Sequence, residues 1–153
     1  MRRLIGSLAL ILAGCAAAPV AGPPPPRDPK VAITSQVDAT ADRLSGDWVV
    51  RASWSATATP GERLHLRAGQ GGELWLGEIA LPARGQGRFG GAGGIPEWWV
   101  LFLDSGNRSA AIGTPSGEFG WIMDRAPKGG GDRIRAAKDI MQWVGYDMAR
   151  ARE

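Results

Sequence analysis

Between Gly46 and Arg125 the chain alternates short runs of Trp, Val, Leu and Ile with turns that carry glycine. That texture predicts antiparallel strands rather than helices. Strands are expected near 47–55, 62–68, 73–81, 97–104, 109–113 and 118–125, with room for one more short strand in the glycine-rich stretch 84–94. Ser105-Gly106-Asn107 and Pro115-Ser116-Gly117 suit hairpin turns, because Gly and Asn adopt positive φ at little cost. Many short strands at close spacing argue for a barrel or a sandwich.

The run Trp98-Trp99-Val100-Leu101-Phe102-Leu103 is apolar at every position. Strand side chains alternate between faces, so Trp98, Val100 and Phe102 share one side and Trp99, Leu101 and Leu103 the other. Both sides need cover. The first set is expected to line a barrel interior. The second needs a partner outside, and the chain offers one. After Lys128-Gly129-Gly130-Gly131, Asp132 is suited to cap a helix. Ile134, Ala137, Ile140, Met141 and Val144 then recur at helical spacing as one stripe. Gly145 stands where a C′ glycine ends such a helix.

The N-terminal third reads differently. Met1-Arg2-Arg3 and the apolar Leu4–Ala13 have the make-up of a secretory signal, and the apolar run is too short to span a bilayer, which takes about 20 residues. Leu12-Ala13-Gly14-Cys15 resembles the lipobox of bacterial lipoproteins, in which the cysteine is acylated; the plain alternative is an ordinary signal with an incidental cysteine. Cys15 is the only cysteine, so no disulfide can form within the chain. The resemblance implies a mature chain starting at a lipidated Cys15 and, since Ala16 follows rather than aspartate, an outer-membrane location on the periplasmic side. Pro23 to Pro26 favour an extended polyproline spacer, or less plainly a ligand for a proline-recognition module. The expected organisation is a signal over 1–14, a lipidated Pro-rich tether over 15–44 and a barrel domain over 45–153.

Charge and chemistry exclude more than they suggest. The formal charge of +3 falls to +1 once Arg2 and Arg3 are removed, so no electrostatic case for nucleic acid remains. One histidine, His65, sits in Glu62–Arg67 as a strand or rim residue. A single His and a lipidated Cys supply neither a metal site nor a hydrolytic triad. The segment Arg84–Gly94 is rich in glycine but lacks the lysine and the strand-loop-helix context of a phosphate loop. No cofactor and no catalysis are expected. The seven tryptophans are the informative excess. They either fill a core or line a partly open apolar pocket, since small eight-stranded barrels do both.

The order of signal, tether, barrel and trailing helix, with three local patterns, resembles the lipocalins. Gly46-Asp47-Trp48 is similar to the Gly-X-Trp motif that opens their first strand. Val100–Asp104 with Arg108–Gly113 resembles a hairpin of bacterial lipocalins, and Trp121–Pro127 with the helix exit Gly145-Tyr146-Asp147 matches the segments that follow it. The resemblance spans roughly residues 42 to 148 and is shortened between Ser55 and Gly94. It implies that Trp48 closes the barrel base with Arg125 across its ring, and that Asp104 fills the acidic position of the second motif. Asn107 stands where relatives have Tyr. The implied function is a tethered, non-catalytic carrier of a fatty acid or lysophospholipid such as a palmitoyl chain. Its candidate ligand-binding residues are Trp48, Trp54, Trp75, Trp98, Val100, Phe102, Trp121 and Met123. Arg51, Arg84 or Arg88 would meet a polar head. The alternative is a structural or interaction lipoprotein of the envelope with a filled barrel.

Overall fold

A computed structural model describes residues 22–91 and 93–153. Among them, a short helix α1 (Ala41–Leu44) is followed by nine strands. These are β1 (Gly46–Ser53), β2 (Arg63–Ala68), β3 (Leu74–Leu76), β4 (Ile79–Leu81), β5 (Ala83–Gly85), β6 (Arg88–Phe89), β7 (Trp98–Leu103), β8 (Ser109–Gly113) and β9 (Gly120–Asp124). A helix α2 (Gly131–Trp143) and a 3-10 turn (Met148–Arg150) complete the chain.

The strands form one antiparallel sheet in the order β4-β3-β2-β1-β9-β8-β7-β6-β5. Its two outermost strands, β4 and β5, are consecutive in sequence and separated only by Pro82. The sheet therefore curls almost closed on a strand bent at a proline, which has no N–H to give the ladder. The architecture is the expected mostly β, antiparallel, lipocalin-like barrel, shortened in its middle, with one C-terminal helix outside. The shortening has a visible cause. The segment 73–81, expected as one strand, is a hairpin turned at Gly77-Glu78, where Gly77 takes φ +57°.

Two bulges decide which side chains face inward. The register slips between Val50 and Ala52 in β1 and between Val100 and Phe102 in β7. A one-residue slip sends every following side chain to the opposite face. Trp48, Val50, Trp98 and Val100 belong to the inner core, whereas Ala52, Trp54 and Phe102 belong with the outer one. Leu103 takes the inward place that alternation assigns to Phe102.

The outer layer is built on β7, β8 and β9. Helix α2 lies across these three strands, burying Ile134, Ala137 and Met141 against Leu101, Ala111 and Ile122. The helix is capped by Gly130 in the left-handed region rather than by Asp132, which lies in its first turn and complements the positive end of the helix dipole. Arg133 ties the helix to the barrel through an ion pair of 3.1 Å to the buried Asp124, which also accepts from the Ser109 hydroxyl. At the far end Gly145 ends the helix at φ +98°, and Tyr146 folds back over β8 and β9. Its hydroxyl donates to the Phe119 carbonyl at 2.6 Å and accepts from Thr114 N–H at 3.1 Å. Gly113 and Gly120 are required here, since a Cβ on either would fall 2.5 Å and 2.6 Å from the Tyr146 ring system.

Residues 26–44 are packed along the barrel. Pro26 and Arg27 are buried, and the Gln36 amide spans Leu103 N–H and C=O beside β7. The run 97–104 is thus enclosed on both sides, by the barrel core within and by α2 and the N-terminal segment without.

Candidate functional site

The strand directions give the barrel two unlike ends. One collects Gly46, Ala68, Leu103, Ser109 and Asp124; the other collects Ser53, Leu64, Trp98, Gly113 and Gly120.

The first end is sealed. Helix α1, capped by the Thr40 hydroxyl, places Leu44 across it. Trp48 has no exposed surface, and its indole donates to the Leu44 carbonyl at 2.6 Å. The Arg125 guanidinium lies 3.7 Å above the Trp48 ring, a cation–π contact. It also donates to the carbonyls of Asn107 (3.0 Å), Asp47 (3.1 Å) and Arg43 (3.2 Å). Burial lowers the pKa of Arg125, and the nearby Asp47 and Asp124 charges oppose that fall. Asn107, at φ +55°, supplies both that carbonyl and an amide oxygen accepting from Arg43 Nε at 2.8 Å. Asp104 braces the adjoining turn by accepting from Ser109 N–H at 2.7 Å and Arg108 Nε at 3.1 Å. Burial opposes its charge, yet the hydrogen bonds prevail and hold the carboxyl below its ordinary range.

The second end is left open by the short β3–β4 hairpin. Directly paired residues of an antiparallel ladder share a face. Leu66 faces the core and pairs with Leu76, which pairs with Ile79. Leu76 and Ile79 therefore point inward. The hairpin stops at them, while β2 continues past to Leu64. Ile79 is 49% exposed as a result. The strand ends and loops on this side also carry Leu64, Leu76, Ile95, Trp98, Phe119 and Trp121, all part of or packed on the inner core. Trp121 meets Trp98 edge to face at 4.8 Å and stacks on Phe119 at 5.4 Å. Its buried Nε1 has no acceptor among the described residues, and neither has that of Trp99. A buried unpaired donor costs about 1–3 kcal/mol.

Between the ends the barrel is full. Trp48, Leu66, Leu74, Val100, Ala110 and Met123 have no surface that a water-sized sphere can reach, from outside or from within. No acyl-sized space adjoins them, and the packing is that of an ordinary protein interior. The cavities lie elsewhere. One of about 310 Å³ is a groove beside α1 at the sealed end, bounded by Val37, Ala39, Ala41, Gly72, Gln86 and Phe89, and one of about 510 Å³ lies where Pro23–Pro26 passes Trp54 and Arg150.

Of the eight residues expected to bind a ligand, Trp98 and Trp121 stand at the open end, and Trp48, Val100 and Met123 lie in the solid interior. The other three are outside it. Trp54 packs on Tyr146, with ring centroids 5.5 Å apart, and donates to the Asp147 carbonyl at 2.8 Å. Phe102 joins the outer layer. Trp75, between inward-facing Leu74 and Leu76, turns outward, where Arg67 lies 5.0 Å from its ring. Leu64, Leu76, Ile79 and Ile95 are the open-end residues that residue chemistry alone did not single out. A hairpin signal at Leu76-Gly77-Glu78-Ile79 was available to find two of them.

Of the arginines expected to meet a head group, Arg51 donates to the Ala126 carbonyl at 3.0 Å, and Arg84 to the Gly90 carbonyl at 2.7 Å. Arg88 lies 5.2 Å from the Trp99 ring. His65 is exposed and pairs with Asp47 at 2.7 Å on the outer face of β1 and β2. Among the described residues there is no group of three His, Cys, Asp or Glu side chains placed to hold a metal, and no helix long and apolar enough to cross a membrane. Cys15 and the expected signal lie outside the described residues. No protein-family model matches this chain, and no curated protein matches it.

Proposed function

We propose that this protein is a tethered, non-catalytic envelope lipoprotein whose lipocalin-like barrel holds a small apolar molecule at its open end. The barrel fold is compatible with ligand binding. The observation that carries the reading is the inward-facing apolar rim left uncovered at Ile79, at the same end of the barrel as a buried Trp121 indole N–H without an acceptor among the described residues. A fatty acid or lysophospholipid would place the first part of its chain on Leu64, Leu76, Ile79 and Ile95. Covering such a rim yields about 25 cal/mol per Å² of apolar area removed from water. An oxygen of the head or ester group that reached Trp121 Nε1 would supply its missing partner. Because the interior is filled, the site is a shallow end-on one, and a long chain would leave its tail outside. The lipobox-like Leu12–Cys15 supports outer-membrane attachment on the periplasmic side.

The test is saturable quenching or enhancement of tryptophan fluorescence by lysophospholipid below its micelle threshold, lost in Ile79→Asp. A linear, unsaturated response supports the second reading instead. That reading is a structural or interaction lipoprotein with a solid barrel, and the absence of reachable surface on Trp48, Val100 and Met123 favours it.

A further inference from the structure

Where the N-terminal segment is fastened bears on how the barrel sits relative to a lipid surface. Arg27 is buried although it makes no salt bridge among the described residues, only the nearby Asp28 charge favouring its cation. Its guanidinium is spent on carbonyls: Nε donates to Val144 at 2.7 Å, one terminal nitrogen to Pro115 at 2.6 Å and the other to Val31. Pro115 belongs to the β8–β9 turn, which lies at the open end. The residues just before are held there too. Asp147 N–H donates to the Pro26 carbonyl at 2.9 Å, and Arg150 to those of Pro24 and Pro25, each at 2.9 Å. The chain thus enters the domain beside the barrel's mouth and only afterwards runs along β7 to the sealed end.

We infer that the open end faces the membrane, an inference that rests on the reading of Cys15 as the acylated residue. Eight positions separate Cys15 from Pro23. Fully extended they reach about 28 Å; as a flexible chain their mean span is about 16 Å. A strand the length of β1 (8 residues) covers about 26 Å, which at a barrel tilt of about 40° gives a height of about 20 Å. With the open end down, the tether spans the gap relaxed. With the sealed end down, Pro23 stands a barrel's height from the lipid and the tether must stretch past its mean span, at a cost in chain entropy.

The surface at that end suits lipid. Helix α2 runs from Arg133 beside Asp124 to Val144 beside Arg27, so it ends at the mouth, and Trp143 in its last turn is 79% exposed. Tryptophan favours the boundary between apolar lipid and water. Ile79 points from the same end. The surrounding charges are of both signs: Arg63, Arg150 and Arg152 against Glu62, Glu78 and Glu118, all exposed. The orientation therefore comes from the tether and the apolar rim, not from attraction to anionic lipid.

The full chain, purified from membranes and reconstituted in phosphatidylcholine vesicles, tests this with a thiol-reactive fluorophore. An acylated Cys15 has no free thiol, so the unsubstituted protein should not label. Ile79→Cys, Trp143→Cys and Ser105→Cys each add one reactive site, the last in the exposed β7–β8 turn at the sealed end. Spin-labelled phosphatidylcholine should quench the probes at 79 and 143 strongly and the probe at 105 hardly at all, with no change on adding salt. Equal quenching at all three, strongest quenching at 105, or loss of the pattern in salt overturns the orientation. Labelling of the unsubstituted protein overturns the anchor itself, and with it this inference, while leaving ligand binding to be judged by the titration above.

Discussion

The two ends of this barrel are made from the same kinds of residue and behave oppositely. At the sealed end an indole, Trp48, has every polar need met and a cation laid over it; its N–H reaches Leu44 and Arg125 covers its face. At the open end an indole, Trp121, is stacked and buried but its N–H finds no acceptor among the described residues. The difference does not lie in the tryptophans. It lies in what the neighbouring segments reach: α1 and Arg125 extend across one end, whereas the β3–β4 hairpin stops short of the other. An end that satisfies all its groups is structural, and one that leaves an apolar rim and an orphan donor has capacity for a partner.

The largest effect expected from this contrast is at the seal. Trp48→Ala should lose about 3–5 kcal/mol of unfolding free energy, as large-to-small core changes do, measured by chemical denaturation. Ile79→Ala, on the open rim, should stay within about 0.5 kcal/mol, as surface changes do. Comparable losses would mean the two ends are equally integral to the fold.

The latch outside the open end should show in alkali. Burial raises the Tyr146 pKa from 10.0 to about 12. The unfolded chain then releases this proton at lower pH than the folded one, so the contribution is complete below pH 10 and disappears as pH rises towards 12. A shift of that size is worth about 3 kcal/mol. Thermal unfolding should therefore fall across that window, and Tyr146→Phe should flatten the fall while losing some stability at neutral pH.

A smaller effect isolates the cation at the seal. Arg125→Met keeps apolar contact with Trp48 but removes the charge and its three hydrogen bonds to carbonyls; about 1–3 kcal/mol should be lost. Smallest of all in stability, and largest in function, is Ile79→Asp. It should unfold within about 0.5 kcal/mol of the parent while no longer binding lysophospholipid.

Much of the fold was legible. Glycine-bearing turns and apolar runs placed the strands, and the Ile134–Val144 stripe placed the helix, because those signals are local. The Trp48–Arg125 contact followed from the lipocalin resemblance and is present at 3.7 Å. The inner wall was only half legible. Alternation holds up to Val50 and Val100 and then fails at a bulge in each strand, which sends Trp54 and Phe102 outside. Nothing in those residue types announces a bulge; both sides of these strands are buried, so hydrophobicity does not distinguish them. The hairpin at Gly77 carries a turn residue but sits inside Leu74–Leu81, which reads as one apolar strand. Arg27 was invisible for another reason. A basic residue after four prolines looks solvated, and only the carbonyls of Val144, Pro115 and Val31, remote or brought close by the fold, make its burial possible.

The most direct test of the open end is a calorimetric titration of the purified protein with lysophospholipid kept below its micelle threshold, run beside Ile79→Asp. A saturable isotherm near one ligand per chain, abolished by the substitution, is the result expected here. An isotherm without saturation, or one that Ile79→Asp leaves unchanged, would contradict it.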